Sequence, residues 1–88
     1  MEIEQLRIFL AVAECGSFTK GAAKLYISHS TTSRAVSALE EELGVKLLER
    51  DNRVHHLTTA GSILVAEAEK IVAAVDSLPK KIESGDIL

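Results

Sequence analysis

One short stretch of the sequence combines an arginine with hydroxyl side chains, the residue types that hydrogen-bond to phosphate oxygens and to base edges. Arg34 has no acidic residue four positions before or after it, so an ion pair of that spacing on one helix is excluded. Its guanidinium suits a bidentate contact with guanine, with a phosphate contact or a solvated surface as alternatives. The hydroxyls suit either nucleic-acid contacts or helix capping. The candidate nucleic-acid-binding residues of this stretch are His29, Ser30, Thr31, Ser33, Arg34 and Ser37.

The charge of the whole chain and the charge of this stretch point in opposite directions. The formal net charge is −3, from 10 Lys and Arg against 13 Asp and Glu, which disfavours binding to phosphates. Residues 15–39, however, contain no acidic residue while including Lys20, Lys24 and Arg34. One segment of an otherwise acidic molecule is therefore locally cationic, and its two lysines either contact DNA or are simply solvated.

Other kinds of chemistry have little support in the sequence. A single cysteine, Cys15, cannot form an internal disulfide and is expected to be a small buried helix residue. His55 and His56 are adjacent, so they point to opposite faces of a strand, and His29 is far away, which argues against a metal site. The acidic run at 40–42 is typical of a solvated face and lacks a neighbouring nucleophile. We expect no metal, no cofactor and no enzymatic activity.

The length and composition predict one small, mainly helical domain. A chain of 88 residues is too short for two domains. Phe9, Phe18 and Tyr26 are its only aromatic residues, so the core must consist of Leu, Ile, Val and Ala at helical spacing. The apolar runs are far shorter than the roughly 20 residues needed to cross a bilayer, and Met1 precedes acidic residues rather than a basic leader. These features predict a soluble cytoplasmic protein.

The apolar spacing predicts two short helices at the start of the chain. The first covers about residues 3–14 and ends at Gly16, which suits a left-handed helix cap. Ser17 or Thr19 caps the second helix, which has about two turns. Gly21 within that helix is interpreted as a site of close packing against a neighbouring helix.

A third helix follows at a distance of a few residues, capped by Ser28 or Ser30 and ended by Gly44. The face of this helix that lies opposite its apolar positions carries the polar residues around Arg34. Two helices joined by so short a turn form a helix-turn-helix motif. The apolar positions of the third helix follow a 4-3-4 spacing and are Thr32, Val36, Leu39 and Leu43.

The remainder of the chain predicts a small hairpin and one long helix. The β-compatible runs 45–48 and 54–57 bracket a turn at Asp51 and Asn52, forming a wing. Thr58 or Thr59 caps a helix that extends towards residue 78, and Pro79 should break or kink it before a frayed tail at 80–88. Its heptad-like apolar positions predict a dimerisation seam. The seam residues are Leu64, Ala68, Ile71, Val75 and Leu78.

A series of short motifs runs in order along the first two thirds of the chain: Gly16-Ser17-Phe18-Thr19, Ala22-Ala23, Leu25, Ser33-Arg34, Leu39-Glu40-Glu41-Glu42-Leu43-Gly44, Leu47, Glu49-Arg50, Leu57-Thr58 and Ala60-Gly61. Together they resemble the amino-terminal domain of the LysR-type bacterial transcriptional regulators. The resemblance implies that the third helix enters the major groove, that the wing lies over the adjacent backbone or minor groove, and that the long helix pairs two domains antiparallel. Arg50 and Arg53 would be the DNA-contacting cations of the wing. In such regulators a linker leads to an effector domain for a small-molecule inducer, and we expect no such domain within these residues.

The sequence departs from the family pattern in two places. Residues 29–32 are His-Ser-Thr-Thr, where the family commonly has Gln-Pro followed by small and apolar residues. The hydroxyl of Thr32 then faces the core and must find a backbone acceptor. Val54 and His56 occupy wing positions where basic residues are frequent. We therefore expect weaker nonspecific affinity than in a more basic relative.

The favoured hypothesis is a mainly α winged helix-turn-helix domain at 1–57, followed by a linker and dimerisation helix at 58–88. It would bind double-stranded DNA sequence-specifically as a homodimer on a pseudo-palindromic site. The alternative is a winged helix that binds proteins and repels DNA, since one fold can serve both purposes. The acid-free stretch with an exposed Arg34 favours DNA, and a steep inverse salt dependence of duplex binding would distinguish the two.

Overall fold

Four helices and one antiparallel pair of strands form the part of the chain that the computed structural model describes. That part is residues 1–51 and 54–85, without the side chains of 50, 51, 54 and 55. The mainly helical winged helix-turn-helix class predicted from the sequence is confirmed. In chain order the elements are α1 (Ile3–Cys15), α2 (Phe18–Leu25), α3 (His29–Leu43), β1 (Leu48–Asp51), β2 (Val54–Leu57) and α4 (Thr59–Ser84).

The helix ends follow the local capping signals. Gly16 and Gly44 have φ of 65° and 69°, so each ends its helix in the left-handed conformation that glycine adopts without strain. The hydroxyl of Ser17 accepts a hydrogen bond from the Lys20 N–H, and Ser28, rather than Ser30, caps α3. Tyr26 ends α2 at φ 58°, a conformation that side-chain-bearing residues adopt less readily. The α2–α3 connection is therefore a strained, tight turn.

The core lies where α1, α3, the start of β1 and α4 meet. Thr32 is fully buried in it, and its hydroxyl donates to the Ser28 carbonyl oxygen at 2.9 Å, which is the backbone acceptor that the sequence required. A β-carbon at Gly21 would lie 3.0 Å from the Val12 Cα, which confirms the predicted close packing of α2 on α1. The largest fully buried apolar side chains are Phe9, Val12, Val36, Leu39 and Leu47.

The wing differs from its prediction at its first strand, which begins at Leu48 rather than at residue 45. The N–H groups of Gly44 and Val45 are still bonded to the Glu40 carbonyl and complete the end of α3. Strand pairing then starts with Leu48 opposite Leu57. The β-compatible residues 45–47 thus belong to the helix end and its connection to the strand.

The long helix also differs from its prediction, because α4 continues through Pro79 to Ser84. The proline removes one donor, the one that would bond to the carbonyl of Val75. This stretch of α4 is exposed, so water can solvate that carbonyl and the following turns still form. Of the predicted break or kink at Pro79, the break was wrong, and so was the frayed tail as far as Ser84, whereas a kink stays a prediction; residues 86–88 lie outside the described part of the chain.

The predicted seam of α4 divides into two parts. Ala68 is fully buried in the core of its own chain, and Leu64 is half-buried against the same core. Ala68 therefore has no surface left for a partner, which corrects its predicted place at the centre of a dimer contact. Ile71, Val75 and Leu78 remain 45%, 40% and 47% exposed. The core thus extends past residue 57 into the first half of α4.

Candidate nucleic-acid interface

A hydrogen-bonded cluster of hydroxyls fixes the first turn of α3. The Ser28 Oγ accepts from the Thr31 N–H at 3.1 Å and donates to the Thr31 Oγ1 at 2.8 Å. It also lies 3.2 Å from the Ser30 Oγ. With the Ser28 proton directed at Thr31, Ser30 is the donor of that third bond. Ser28 thus fills the capping role, and the hydroxyl proton of Thr31 is left to donate outwards.

The outer face of α3 is polar and accessible along its length. Arg34 and Ser37 are exposed and Ser33 is half-buried, while Thr32 and Val36 are buried on the opposite side. Within residues 1–51 and 54–85, Arg34 has no ion pair. Its five donors are therefore available to an external acceptor. We call the outward surface formed by His29, Ser30, Thr31, Ser33, Arg34 and Ser37 the α3 polar face.

His29 connects the start of this face to α2. Its ring centroid lies 6.0 Å from that of the buried Phe18, with the ring planes tilted by 45°. Offset and tilted ring contacts at this distance are favourable. The residue as a whole is still exposed, so the imidazole packs against α2 while its outer edge stays accessible.

The two lysines of the acid-free stretch differ in their surroundings. Lys24 lies 2.6 Å from the Glu14 carboxylate, and this hydrogen bond raises the pKa of the ammonium above its ordinary value. Lys20 is exposed and, in the described part of the chain, takes part in no ion pair. Glu14 is just outside the acid-free stretch but reaches across to it. Lys20 and Arg34 are therefore the basic residues of the acid-free stretch that form no ion pair within the described part of the chain.

Glu40 attaches the wing to α3. Its side chain is only 12% exposed, and its Oε2 accepts from the Leu47 N–H at 2.8 Å and the Leu48 N–H at 3.4 Å. Its other oxygen lies 3.9 Å from the Lys46 ammonium. The expectation that residues 40–42 form a solvated acidic run is therefore wrong for Glu40. The left-handed Gly44 returns the chain past the last turn of α3, and this reversal is the sequence signal that could have revealed the contact.

The start of α4 holds the other side of the wing. The Thr58 hydroxyl donates to the Lys46 carbonyl at 2.6 Å and accepts from the Gly61 N–H, while the Thr58 N–H donates to the Leu47 carbonyl. A β-carbon at Gly61 would overlap that Leu47 carbonyl oxygen. The strand pair is thus positioned by α3 and α4 together.

The predicted wing cations cannot be placed in this interface. Arg53 lies outside the described residues, as does the side chain of Arg50. In the backbone, Arg50 pairs with His55 and Glu49 pairs with His56. Contacts of the two arginines with DNA therefore stay a prediction.

Three further findings concern a metal ion, a membrane and the cysteine. Among residues 1–51 and 54–85, no three His, Cys, Asp or Glu side chains are grouped so that they could hold a metal ion. Of the helices described, none combines the length and apolar character required to span a membrane. Cys15, expected to be buried, is half-buried and carries a free thiol.

Comparison with known proteins agrees with the fold and identifies the family. The model for bacterial regulatory helix-turn-helix proteins of the lysR family matches residues 3–62. The transcriptional regulator BenM of Acinetobacter baylyi is 45% identical over 87 residues, covering 96% of this chain and 29% of the relative. The regulator TfdT of Cupriavidus pinatubonensis is 38% identical over 84 residues, covering 96% and 37%. The chain thus spans about a third of the length of these curated relatives.

Solved structures show the same backbone arrangement. The CbnR DNA-binding domain, crystallised in complex with DNA, superposes with a TM-score of 0.91 at 36% identity and covers 98% of this chain and 99% of its own. The BenM DNA-binding domain bound to benA site 1 DNA gives a TM-score of 0.91 at 42% identity, with coverage of 96% and 98%. The described elements therefore match, almost over their full length, domains that were crystallised on DNA.

Proposed function

The chain belongs to the LysR family of bacterial regulatory helix-turn-helix proteins, and we propose that it binds double-stranded DNA sequence-specifically to regulate transcription. In this proposal α3 enters the major groove with its polar face against the base edges. The wing, including Arg50 and Arg53, lies over the neighbouring backbone. A helix presenting Arg and hydroxyl donors is the common means of such recognition.

The observation that carries the proposal is the unpaired, exposed Arg34 at the centre of the α3 polar face. Its side chain lies opposite the buried Val36 and Leu39, so the guanidinium can contact a guanine without disturbing the core. Lys20 adds a second unpaired cation at the start of α2. Residues 15–39 contain no acidic residue, so these cations belong to a locally positive segment of an otherwise acidic chain.

We further propose that the second half of α4 forms a homodimer. Ile71, Val75, Leu78 and Ile82 recur at 4-3-4 spacing and are 40% to 65% exposed. Apolar residues repeated in this way are typical of a helix that pairs with another helix. Ala68 is not part of this seam, because the core of its own chain covers it, and Leu64 is half-buried against the same core. A two-fold pair would present two copies of α3, so the target should be a pseudo-palindrome with half-sites about one helical turn, or a multiple of it, apart.

The remaining functional properties follow from the family. The relatives are transcriptional regulators, and we propose a non-enzymatic, cytoplasmic role without a cofactor for this chain. Residues 1–57 would supply the DNA contacts, the first half of α4 would complete their core, and the second half of α4 would be the dimerisation segment. Any small-molecule inducer would act through an effector domain outside these residues.

Selection of bound duplexes from a random pool, followed by affinity measurements at increasing salt, tests the proposal. We expect an enriched pseudo-palindromic sequence and an affinity that falls steeply as salt displaces the protein from phosphates. A pool that stays random, together with binding that does not depend on salt, would contradict the proposal. That outcome would favour a winged helix that binds proteins instead.

A further inference from the structure

A two-pronged ion pair joins the first helix to the last. The Arg7 Nη2 lies 2.7 Å from the Asp76 Oδ1, and the Nη1 lies 3.1 Å from the Oδ2. The partners are 69 positions apart in sequence. This fork places two parallel hydrogen bonds in one plane and therefore restrains orientation as well as distance. The contact is a specific clamp between α1 and α4.

The clamp lies at the boundary between the supported and the free part of α4. Ala68 is buried in the core, and Val72, one turn later, still packs against it. Asp76 is the next residue on this side of the helix. In the described part of the chain, it is the last α4 residue to share a hydrogen bond or ion pair with another element. Beyond it, Leu78 and Ile82 are exposed.

The position of the clamp gives it leverage over the direction of α4. Val72 packs against the core, and Asp76 follows one turn, about 6 Å, later, so the ion pair acts on the segment of α4 that leaves the core. The other partner, Arg7, is on α1, and Phe9 of α1 belongs to the same core cluster as Val36 and Leu39 of α3. The clamp therefore relates the direction of α4 to the position of α3.

We propose that the Arg7–Asp76 clamp sets the spacing between DNA half-sites that the dimer accepts. The inference rests on the proposed DNA-binding dimer and names a positioning pair within it, since neither residue lies on the α3 polar face. In a dimer paired through the exposed end of α4, the distance between the two copies of α3 depends on the angle between α4 and α1. With the ion pair formed, the dimer accepts one spacing between half-sites; with the ion pair removed, it accepts several.

The pair is charged under ordinary conditions. The hydrogen bonds from Arg7 hold the pKa of Asp76 below its ordinary value, and those same bonds raise the pKa of Arg7. Glu4, 3.8 Å from the Arg7 Nε, adds a second negative charge to the same guanidinium. Both members of the pair are therefore charged across the neutral pH range.

The test uses the 88-residue chain with Arg7→Ala, Asp76→Ala and the double substitution. Affinity is measured for a single selected half-site, for the selected palindrome, and for palindromes whose half-sites are moved by one or two base pairs. Lys70→Ala is the matched control, because it breaks the Lys70–Glu67 pair within α4 without releasing α4 from α1. Circular dichroism and sedimentation confirm that each variant is folded and dimeric.

We expect the parent to prefer the selected spacing strongly, and each clamp variant to lose about tenfold of that preference while its single half-site affinity is unchanged. Arg7→Ala and Asp76→Ala change the net charge in opposite directions, so a like effect of both excludes a general charge effect. The double variant should lose no more than either single variant, and Lys70→Ala should behave as the parent.

Two other outcomes distinguish a failure of the inference from a failure of the proposed function. If both clamp variants retain the parent's preference for spacing, the inference is overturned while the proposed function stands. If the parent binds neither the half-site nor the palindrome, the proposed function fails and the inference fails with it.

Discussion

The helices α3 and α4 contribute to the same core but present opposite chemistry on their outer surfaces. Val36 and Leu39 of α3 are buried together with Ala68 of α4. Outside the core, α3 presents hydroxyls and the unpaired Arg34, whereas α4 presents Ile71, Val75 and other exposed apolar side chains. The inner faces determine the fold, whereas the outer faces are the surfaces to which the proposed function assigns partners: nucleic acid for α3 and a second helix for α4.

The largest expected effect comes from placing a charge on the inner face. Ala68→Asp would bury a carboxylate with no partner in the core and should destabilise the chain by about 3–5 kcal/mol, enough to unfold a small domain. Urea unfolding followed by circular dichroism measures the loss. A variant as stable as the parent would contradict the assignment of Ala68 to the core of its own chain.

An aspartate introduced about one turn later, at position 71, should weaken dimerisation rather than folding. Ile71→Asp places its charge on the exposed outer face, so the helical circular dichroism spectrum should be retained. The dissociation constant of the dimer should rise about tenfold or more. Sedimentation at micromolar concentration compares the variant with the parent. A parent that is a monomer, or a variant that remains a dimer, would remove the support for pairing through this face.

A smaller effect is expected at the attachment of the wing to α3. Glu40→Ala removes the acceptor of the Leu47 and Leu48 N–H groups and should destabilise the chain by about 1–3 kcal/mol, because buried donors are left without a partner. Glu41→Ala is the matched control, since its side chain is exposed. Equal stability of the two variants in thermal unfolding would show that the wing does not depend on Glu40.

The smallest effect is expected at the turn that joins α2 to α3. Tyr26 is 95% exposed and has φ 58°, so Tyr26→Gly should relieve backbone strain and stabilise the chain by about 0.5–1 kcal/mol. Tyr26→Phe, which retains the strained backbone, should leave stability unchanged. A Gly variant less stable than the parent in chemical unfolding would show that the tyrosine ring contributes a contact that outweighs the strain.

The features predicted correctly from the sequence are those set by neighbouring residues. Gly16 and Gly44 end helices, Ser17 caps α2, and Thr32 finds its acceptor four residues earlier, because each of these arrangements depends on residues within one turn. The family motifs supplied the order of the elements. The polar face of α3 followed from the same local periodicity.

The features that were missed depend on residues far apart in the chain. The spacing of Leu64 and Ala68 is the same as that of Ile71 and Val75, so periodicity alone cannot show that Ala68 is buried in the core while Ile71 and Val75 are exposed. Glu40 belongs to an acidic run typical of a solvent-exposed surface. Its partial burial arises only because the chain reverses at Gly44 and brings Leu47 and Leu48 back to it. The pairing of Lys24 with Glu14 likewise depends on how α2 packs against α1.

The most direct test of the central claim compares two unpaired cations, Arg34 and Lys20. Affinity is measured for the selected duplex and for a scrambled duplex of equal length and composition, with the parent, Arg34→Ala and Lys20→Ala. We predict that Arg34→Ala loses about 1–3 kcal/mol of its preference for the selected duplex, because a bidentate base contact is removed. Lys20→Ala should weaken binding to both duplexes alike or leave both unchanged. An undiminished sequence preference in Arg34→Ala would contradict the assignment of sequence recognition to the α3 polar face.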